Sequence, residues 1–322
     1  MILRAFFLRM KTLVRSRVFQ VSVSIALLFI VFRSVHIVDV LTKLRAIPLT
    51  TNILYVVIIV FVIVLTSIRW QLLLTRSITS SHIFPFFAAS MMGLFYNLFL
   101  PSMNGGDAMK WTILPSLPHS KKRVMFSVLH DRVVGLAGLI LVGLICGLAS
   151  SFFFNMQLSN EMIVGLSILS FGSLTVILLL TNPHLLSSNT FLRQFPKVEA
   201  IGNFLYNRRK ETYIGLLLTF ISQFLFFTGM WIIAVPLGFS VPLWQMILFG
   251  SLVFVFASLP LSFSGFGTTE LAFLYFFQPL GIRQENILAL TTTLVLYKFL
   301  FAGLGWIVGS YYQTFHLVTP EK

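Results

Sequence analysis

The chain has 322 residues, 57% of them hydrophobic and only 10% charged, with 35 phenylalanines and a mean hydropathy of +0.93. No soluble fold of this length hides such an apolar load, which excludes a soluble enzyme, a secreted disulfide scaffold and a nucleic-acid-binding domain. The formal net charge of +14 falls in short clusters between apolar stretches, a membrane-topology pattern rather than a nucleic-acid grip.

Arg4, Arg9, Lys11, Arg15 and Arg17 precede an apolar run from Val18 to Phe32 with no small-residue cleavage site after it, so the first helix is expected to be retained. A helix crossing a bilayer needs about 20 mostly apolar residues. Six stretches meet this: 18–38, 52–74, 124–149, 162–181, 213–235 and 287–312. Two more regions, 83–114 and 243–280, are apolar but interrupted by PSMNGGDAMK and PLSFSGFGTTE. Pro and Gly in mid-segment break a helix, so each is expected as a re-entrant hairpin of two partial helices. The polar stretch 182–212, broken by Pro183 and Pro196, reads as a cytoplasmic interfacial segment on anionic lipid heads.

The expected fold is therefore an all-α polytopic membrane protein, a single transmembrane domain over 1–322 with about six full spans and two broken-helix hairpins. With the N-terminus in the cytoplasm, sixteen Lys/Arg fall on cytoplasmic pieces and only Lys43, Arg45 and Arg283 outside. That bias predicts a multi-pass protein of the cell (inner or plasma) membrane with both termini cytoplasmic. The assignment exposes an inverted repeat: 52–149 and 213–312 each hold a span, a hairpin and a span, with 162–181 as the linking span. The turns also correspond. Leu100-Pro101 leads through Gly105-Gly106 to Asp107, and Leu259-Pro260 leads through Gly265 and Gly267 to Glu270. Opposed broken helices meeting near the midplane characterise inverted-repeat transporters.

Seven charges remain at membrane depth: Arg33, Asp107, Lys110, Asp131, Arg132, Glu270 and Lys298. Each costs at least about 2.5–3.5 kcal/mol there and needs a partner or a wet cavity. Arg33 is near a helix end and can snorkel. Asp107 and Glu270 have two readings. As caps, each stands three residues after a turn residue, Asn104 or Gly267, and complements a helix dipole. As site residues, they sit where amide-rich helix starts bind phosphate oxygens. Arg132 is either a bidentate phosphate ligand or one half of a buried ion pair with Asp107 or Glu270. Lys298 lies too deep to snorkel. Arg69, beside Trp70, reads as an interfacial anchor.

The expected head-group site is Asn104, Gly105, Gly106, Asp107, Lys110, Arg132, Gly265, Gly267, Thr268, Glu270 and Lys298, with Asp107, Asp131 and Glu270 for proton or ion coupling. No catalytic residue, metal ligand or cofactor is assigned. The six histidines show no HExxH or HxH spacing, no P-loop or GxSxG is present, and the single cysteine, Cys146, allows no internal disulfide. Gly135, Gly138, Gly143 and Gly147 have small-residue spacings that favour close helix packing.

The succession Arg69-Trp70, Leu100-Pro101, Gly105-Gly106-Asp107, Lys110, Asp131-Arg132, Pro260, Ser264-Gly265-Phe266-Gly267-Thr268-Thr269-Glu270 and Tyr297-Lys298 resembles the transmembrane region of lysylphosphatidylglycerol synthases, also called flippase-like. The resemblance covers about 15–312. It implies a polytopic domain that, in multiple peptide resistance factors, translocates aminoacylated phosphatidylglycerol between leaflets, and relatives that move other lipids or accompany polyprenol glycosyltransferases. Lys110 and Lys298 stand where many relatives carry Arg, which weakens bidentate phosphate binding there. The aminoacyltransferase domain of the full synthases is not found in the sequence, so lysyl-lipid synthesis by this chain alone is not expected.

The leading expectation is a flippase-like lipid transporter for an anionic or aminoacylated phospholipid, or a polyprenyl lipid or glycolipid. The alternatives are an integral membrane transferase acting on a lipid head group, with Asp107 or Glu270 as base, and a membrane partner of a separate glycosyltransferase or lipid-modifying enzyme. Membrane lipids are the expected partners and nucleic acid is not.

Overall fold

In a computed structural model, residues 37–99, 121–154, 206–258 and 262–317 are described, together with Gly106, Lys110 and scattered positions in 22–29 and 167–182. Most of the expected spans 18–38 and 162–181 and most of 182–212 lie outside the described residues, as do Arg33, Leu100, Pro101, Leu259 and Pro260.

Proline and glycine place most of the helix ends. A short helix α1 (Ile37–Arg45) leads to Pro48, whose extended backbone starts α2 (Leu49–Thr75). Arg76 closes α2 in the left-handed conformation at φ 68, its N–H bonded to the Leu72 carbonyl. The next helix, α3 (Ser80–Phe99), runs through Pro85. So near the helix start, that proline forfeits only the bond to the Ser81 carbonyl. The long helix α4 (Lys121–Phe154) follows. Then α5 (Arg209–Ala234) ends at Val235-Pro236-Leu237 and Gly238, at φ 89, and Pro242 starts α6 (Leu243–Ala257). The short α7 (Thr268–Phe277) ends at Gln278-Pro279-Leu280 and Gly281, at φ 79, before α8 (Gln284–Leu317). Both glycines take the positive φ that a side chain resists.

Among the described residues, four apolar helices are long enough to cross a membrane: Leu49–Thr75, Arg123–Ser150, Arg209–Leu237 and Gln284–Thr314. They coincide with the spans expected at 52–74, 124–149, 213–235 and 287–312. The described chain is all-α, and large apolar side chains such as Phe61 on α2, Leu148 on α4 and Leu217 on α5 face outward. A protein in lipid can leave such residues uncovered.

The packing crosses between the two halves of the sequence. Helix α2 packs on α5, α3 on α8, and α6 on α4. Helices α6 and α7 pack against each other and α7 against α8. Exchanging first-half helices for second-half ones maps the α3–α8 contact onto the α6–α4 contact. Close approach is set by glycine. A Cβ on Gly305 would stand 2.1 Å from the Met91 carbonyl oxygen, so the α3 and α8 backbones touch. Three of the four packing glycines of α4 serve three neighbours: Gly135 faces Arg69 of α2, Gly138 faces Thr219 of α5, and Gly143 faces Ser251 of α6. The largest core cluster joins Phe227, Met230, Phe249, Phe273 and Phe277.

Candidate functional site

The last two turns of α2 are buried, and they carry Arg69 into the protein rather than out to the interface. Its Nε donates to Asp131 Oδ1 of α4 at 2.7 Å, and its Nη1 donates to Thr219 Oγ1 of α5 at 2.9 Å. The hydroxyl of Thr219 donates in turn to the Gly215 carbonyl at 2.7 Å. Gly135, one turn beyond Asp131, gives the guanidinium room, for a Cβ there would sit 3.4 Å from Nη2. Arg69 is 6% exposed and Asp131 likewise 6%. The expectation of an interfacial anchor is thus corrected: Arg69 is one half of a buried ion pair, and Asp131 is the other. Such a pair is tolerated at depth because each charge neutralises its neighbour and further hydrogen bonds satisfy the donors.

Beside this pair lies a cavity of about 500 Å3, lined by residues of α2, α3, α4, α5 and α6 together with Lys110. Its polar wall is Arg69, Asn97, Lys110, Asp131, Arg132 and Gln223, and Phe226 and Phe254 are among its apolar ones. Lys110 is 9% exposed, its Nζ standing 5.0 Å from the centre of the Trp70 ring. That indole donates to Ser127 Oγ at 3.2 Å, which fixes the aromatic face presented to the ammonium. Among the described residues, three cationic side chains therefore meet one carboxylate at this wall. A pocket of such composition inside an apolar helix bundle can hold an anion.

A second cluster adjoins the first. Ser264 adopts φ 53, and Gly265 and Gly267 follow at φ 83 and 84, a turn that two glycines make possible. Lys298 Nζ of α8 donates to the Ser264 carbonyl at 2.5 Å and to its hydroxyl at 2.7 Å, and lies 4.7 Å from the Phe266 ring centre. Glu270 is buried and accepts the Gly267 N–H at 2.6 Å, so its capping role at the start of α7 is realised. The hydroxyls of Thr268 and Thr269 both donate to the Gly265 carbonyl. Thr268 also shares a 2.7 Å hydrogen bond with Ser262.

Asn97 joins the two clusters. Its Oδ1 accepts the Gly106 N–H at 2.6 Å, and its backbone carbonyl accepts the Ser264 hydroxyl at 2.8 Å. Gly106 fits only as glycine, since a Cβ there would stand 1.9 Å from the Gly93 carbonyl oxygen.

Of the site residues expected from the sequence, Lys110, Asp131 and Arg132 line the cavity. Gly265, Gly267, Thr268, Glu270 and Lys298 form the second cluster instead, and Gly106 sits between through Asn97. Asn104, Gly105 and Asp107 lie outside the described residues. The sequence reasoning missed Arg69, Asn97 and Ser264. A lone Asn in the apolar run MMGLFYNLFL was the available signal for Asn97.

A third basic group gathers where α2 ends. Arg208 Nη1 donates to the Leu73 and Leu74 carbonyls at 2.6 and 3.0 Å, and Arg123 Nη2 reaches Leu74 at 3.4 Å. Burial, then the nearby charges of Arg123 and Arg76, lower the Arg208 pKa to about 10. These guanidinium groups cap the carbonyl end of α2, where positive charge complements the helix dipole.

The fold and the charged cavity define a multi-pass, all-α membrane protein with a polar interior. The chain belongs to the family described as the lysylphosphatidylglycerol synthase TM region, whose model matches residues 17–305. It is thus a membrane protein of the lysylphosphatidylglycerol synthase or flippase-like kind. No curated protein and no solved structure matches it.

Proposed function

We propose that this protein moves a lipid between membrane leaflets, the head group passing through the cavity while the acyl tails stay in the bilayer. The observation that carries the reading is the cavity whose wall brings together Arg69, Lys110, Arg132 and Asp131. A lipid head is the polar group that a protein embedded in membrane meets at high concentration, and desolvated cations bind phosphate oxygens strongly. Membership of the family supports the same reading.

In this reading the two interrupted regions, 83–114 and 243–280, are re-entrant and belong to an inverted repeat. The exchanged packing of α3 with α8 and α6 with α4 supports it, as does the bridge from Gly106 through Asn97 to Ser264. The residues engaging the head group are Lys110 and Arg132, with Arg69 added from the geometry. Gly106, Gly265, Gly267, Thr268, Glu270 and Lys298 shape the turns behind them, and Asn104, Gly105 and Asp107 are kept as head-group residues on the sequence pattern alone. Asp107, Asp131 and Glu270 are the acids available for coupling to a proton or ion. The sixteen-to-three bias of Lys and Arg supports placement in the cell membrane with both termini cytoplasmic.

The test is leaflet exchange in vesicles reconstituted with the purified protein, using labelled phospholipids and polyprenyl phosphates. Protein-dependent exchange that falls in Arg132→Gln is expected. No protein-dependent movement of any of these lipids refutes the reading.

A further inference from the structure

Resting on the reading of the cavity as a head-group site, the unused atoms of the buried ion pair specify what a head group must present. Arg69 and Asp131 both line the cavity, and each is only 6% exposed. A guanidinium offers its Nε and Nη2 hydrogens side by side, a fork that commonly takes both oxygens of one carboxylate. Asp131 takes one prong alone, Oδ1 on Nε at 2.7 Å. Nη1 is turned to Thr219, whose own hydroxyl proton goes to the Gly215 carbonyl. Among the described residues, Nη2 donates no hydrogen bond and Oδ2 accepts none. Space beside Nη2 is kept by Gly135, a cavity residue of α4 whose missing Cβ would stand 3.4 Å from that nitrogen.

One donor prong and one acceptor oxygen are therefore left on the same pair, and buried polar groups left so are costly until a partner completes them. A bare oxyanion completes only half. It satisfies Nη2, but it brings a second negative charge up to the Asp131 carboxylate, and a low dielectric magnifies that repulsion. A head group with an O–H or N–H close to its phosphate completes both, the phosphate oxygen accepting from Nη2 while the neighbouring hydrogen goes to Oδ2. We infer that the Arg69–Asp131 pair reads a head group as acceptor plus donor. It selects a lipid whose phosphate is closely followed by a hydroxyl or amine over one whose phosphate ester carries only hydrocarbon. Lys110 and Arg132 on the same wall attract a phosphate whatever follows it, so the discrimination falls to Asp131.

Phosphatidylglycerol and phosphatidylpropanol carry the same charge and the same three-carbon ester, and differ by two hydroxyls. In thermal-shift titrations of the whole chain in detergent, short-chain phosphatidylglycerol is expected to bind about tenfold tighter, the worth of one hydrogen bond to a charged acceptor. Asp131→Asn keeps an oxygen for Nε and puts an N–H donor in place of Oδ2, so the ratio should fall to about one. Gly135→Ala leaves the ion pair bonded and crowds Nη2, so it should weaken both lipids together; it serves where the first variant does not fold. Equal affinities in the parent overturn the inference, as does a preference that survives Asp131→Asn or binding untouched by Gly135→Ala. Glycerol 3-phosphate has the same oxyanion beside hydroxyls but no tails, and stabilisation equal to that by the lipid overturns a lipid as the source.

Leaflet exchange of the same two lipids in reconstituted vesicles separates this inference from translocation. Faster movement of phosphatidylglycerol supports both. Equal movement overturns the inference and leaves translocation standing. No movement of either, with the binding preference intact, refutes translocation and leaves the inference standing.

Discussion

Severing the Arg69–Asp131 pair tests whether the cavity wall is built as described. The two side chains are only 7% and 8% exposed, so solvent screens their attraction little. Asp131→Leu leaves a guanidinium buried without its counter-charge, and Arg69→Met leaves a lone carboxylate. Each single change should cost about 3–5 kcal/mol. The double variant removes both charges and replaces them with apolar volume, which is about neutral in comparable buried pairs. Thr219 tolerates the loss of Arg69, because its hydroxyl still donates to Gly215. The double-mutant cycle should therefore give a coupling of about 3 kcal/mol or more, outside the 0.3–0.5 kcal/mol within which independent sites add. Thermal unfolding in detergent is the assay. Each single variant is expected to melt roughly 10 °C below the parent, with the double variant close to it. Single effects that simply add would refute the pairing.

Gly138→Ala would place a methyl 2.3 Å from Thr219 Cγ2, whose side chain two hydrogen bonds hold in place, and should cost about 1–3 kcal/mol in melting experiments. Gly303→Ala meets nothing within 4 Å inside a helix and should stabilise by about 0.5–1 kcal/mol; matching effects at the two positions would count against the packing. Glu270→Ala strands the buried Gly267 N–H and should cost about 1–3 kcal/mol, whereas Glu270→Gln retains an acceptor and should cost less, as unfolding in denaturant would report. Asn97→Leu removes the side-chain acceptor of Gly106 and should raise amide exchange at that turn while leaving α2 protected. Unchanged exchange at Gly106 would show that the bridge contributes nothing.

Hydropathy and helix punctuation are local properties, and they were legible in the sequence. The four long apolar helices fall where runs of about 20 apolar residues placed them. Pro48, Gly238, Pro242 and Gly281 mark ends because their backbones take or refuse particular dihedrals whatever surrounds them. The Gly267–Glu270 cap was likewise visible, since its partners are three residues apart.

Arg69 was not legible. Its place near the end of an apolar run looks the same for a surface anchor and for a buried ligand, and its partners stand 62 and 150 residues away. Asn97 and Ser264 share that difficulty at a separation of 167 residues. The sequence by itself determined a membrane-embedded helical protein and the charges that had to be neutralised inside it. Tertiary structure alone decided which charges share a wall, because that depends on how closely glycine surfaces such as Gly138 and Gly305 let distant helices approach, a quantity no local pattern encodes.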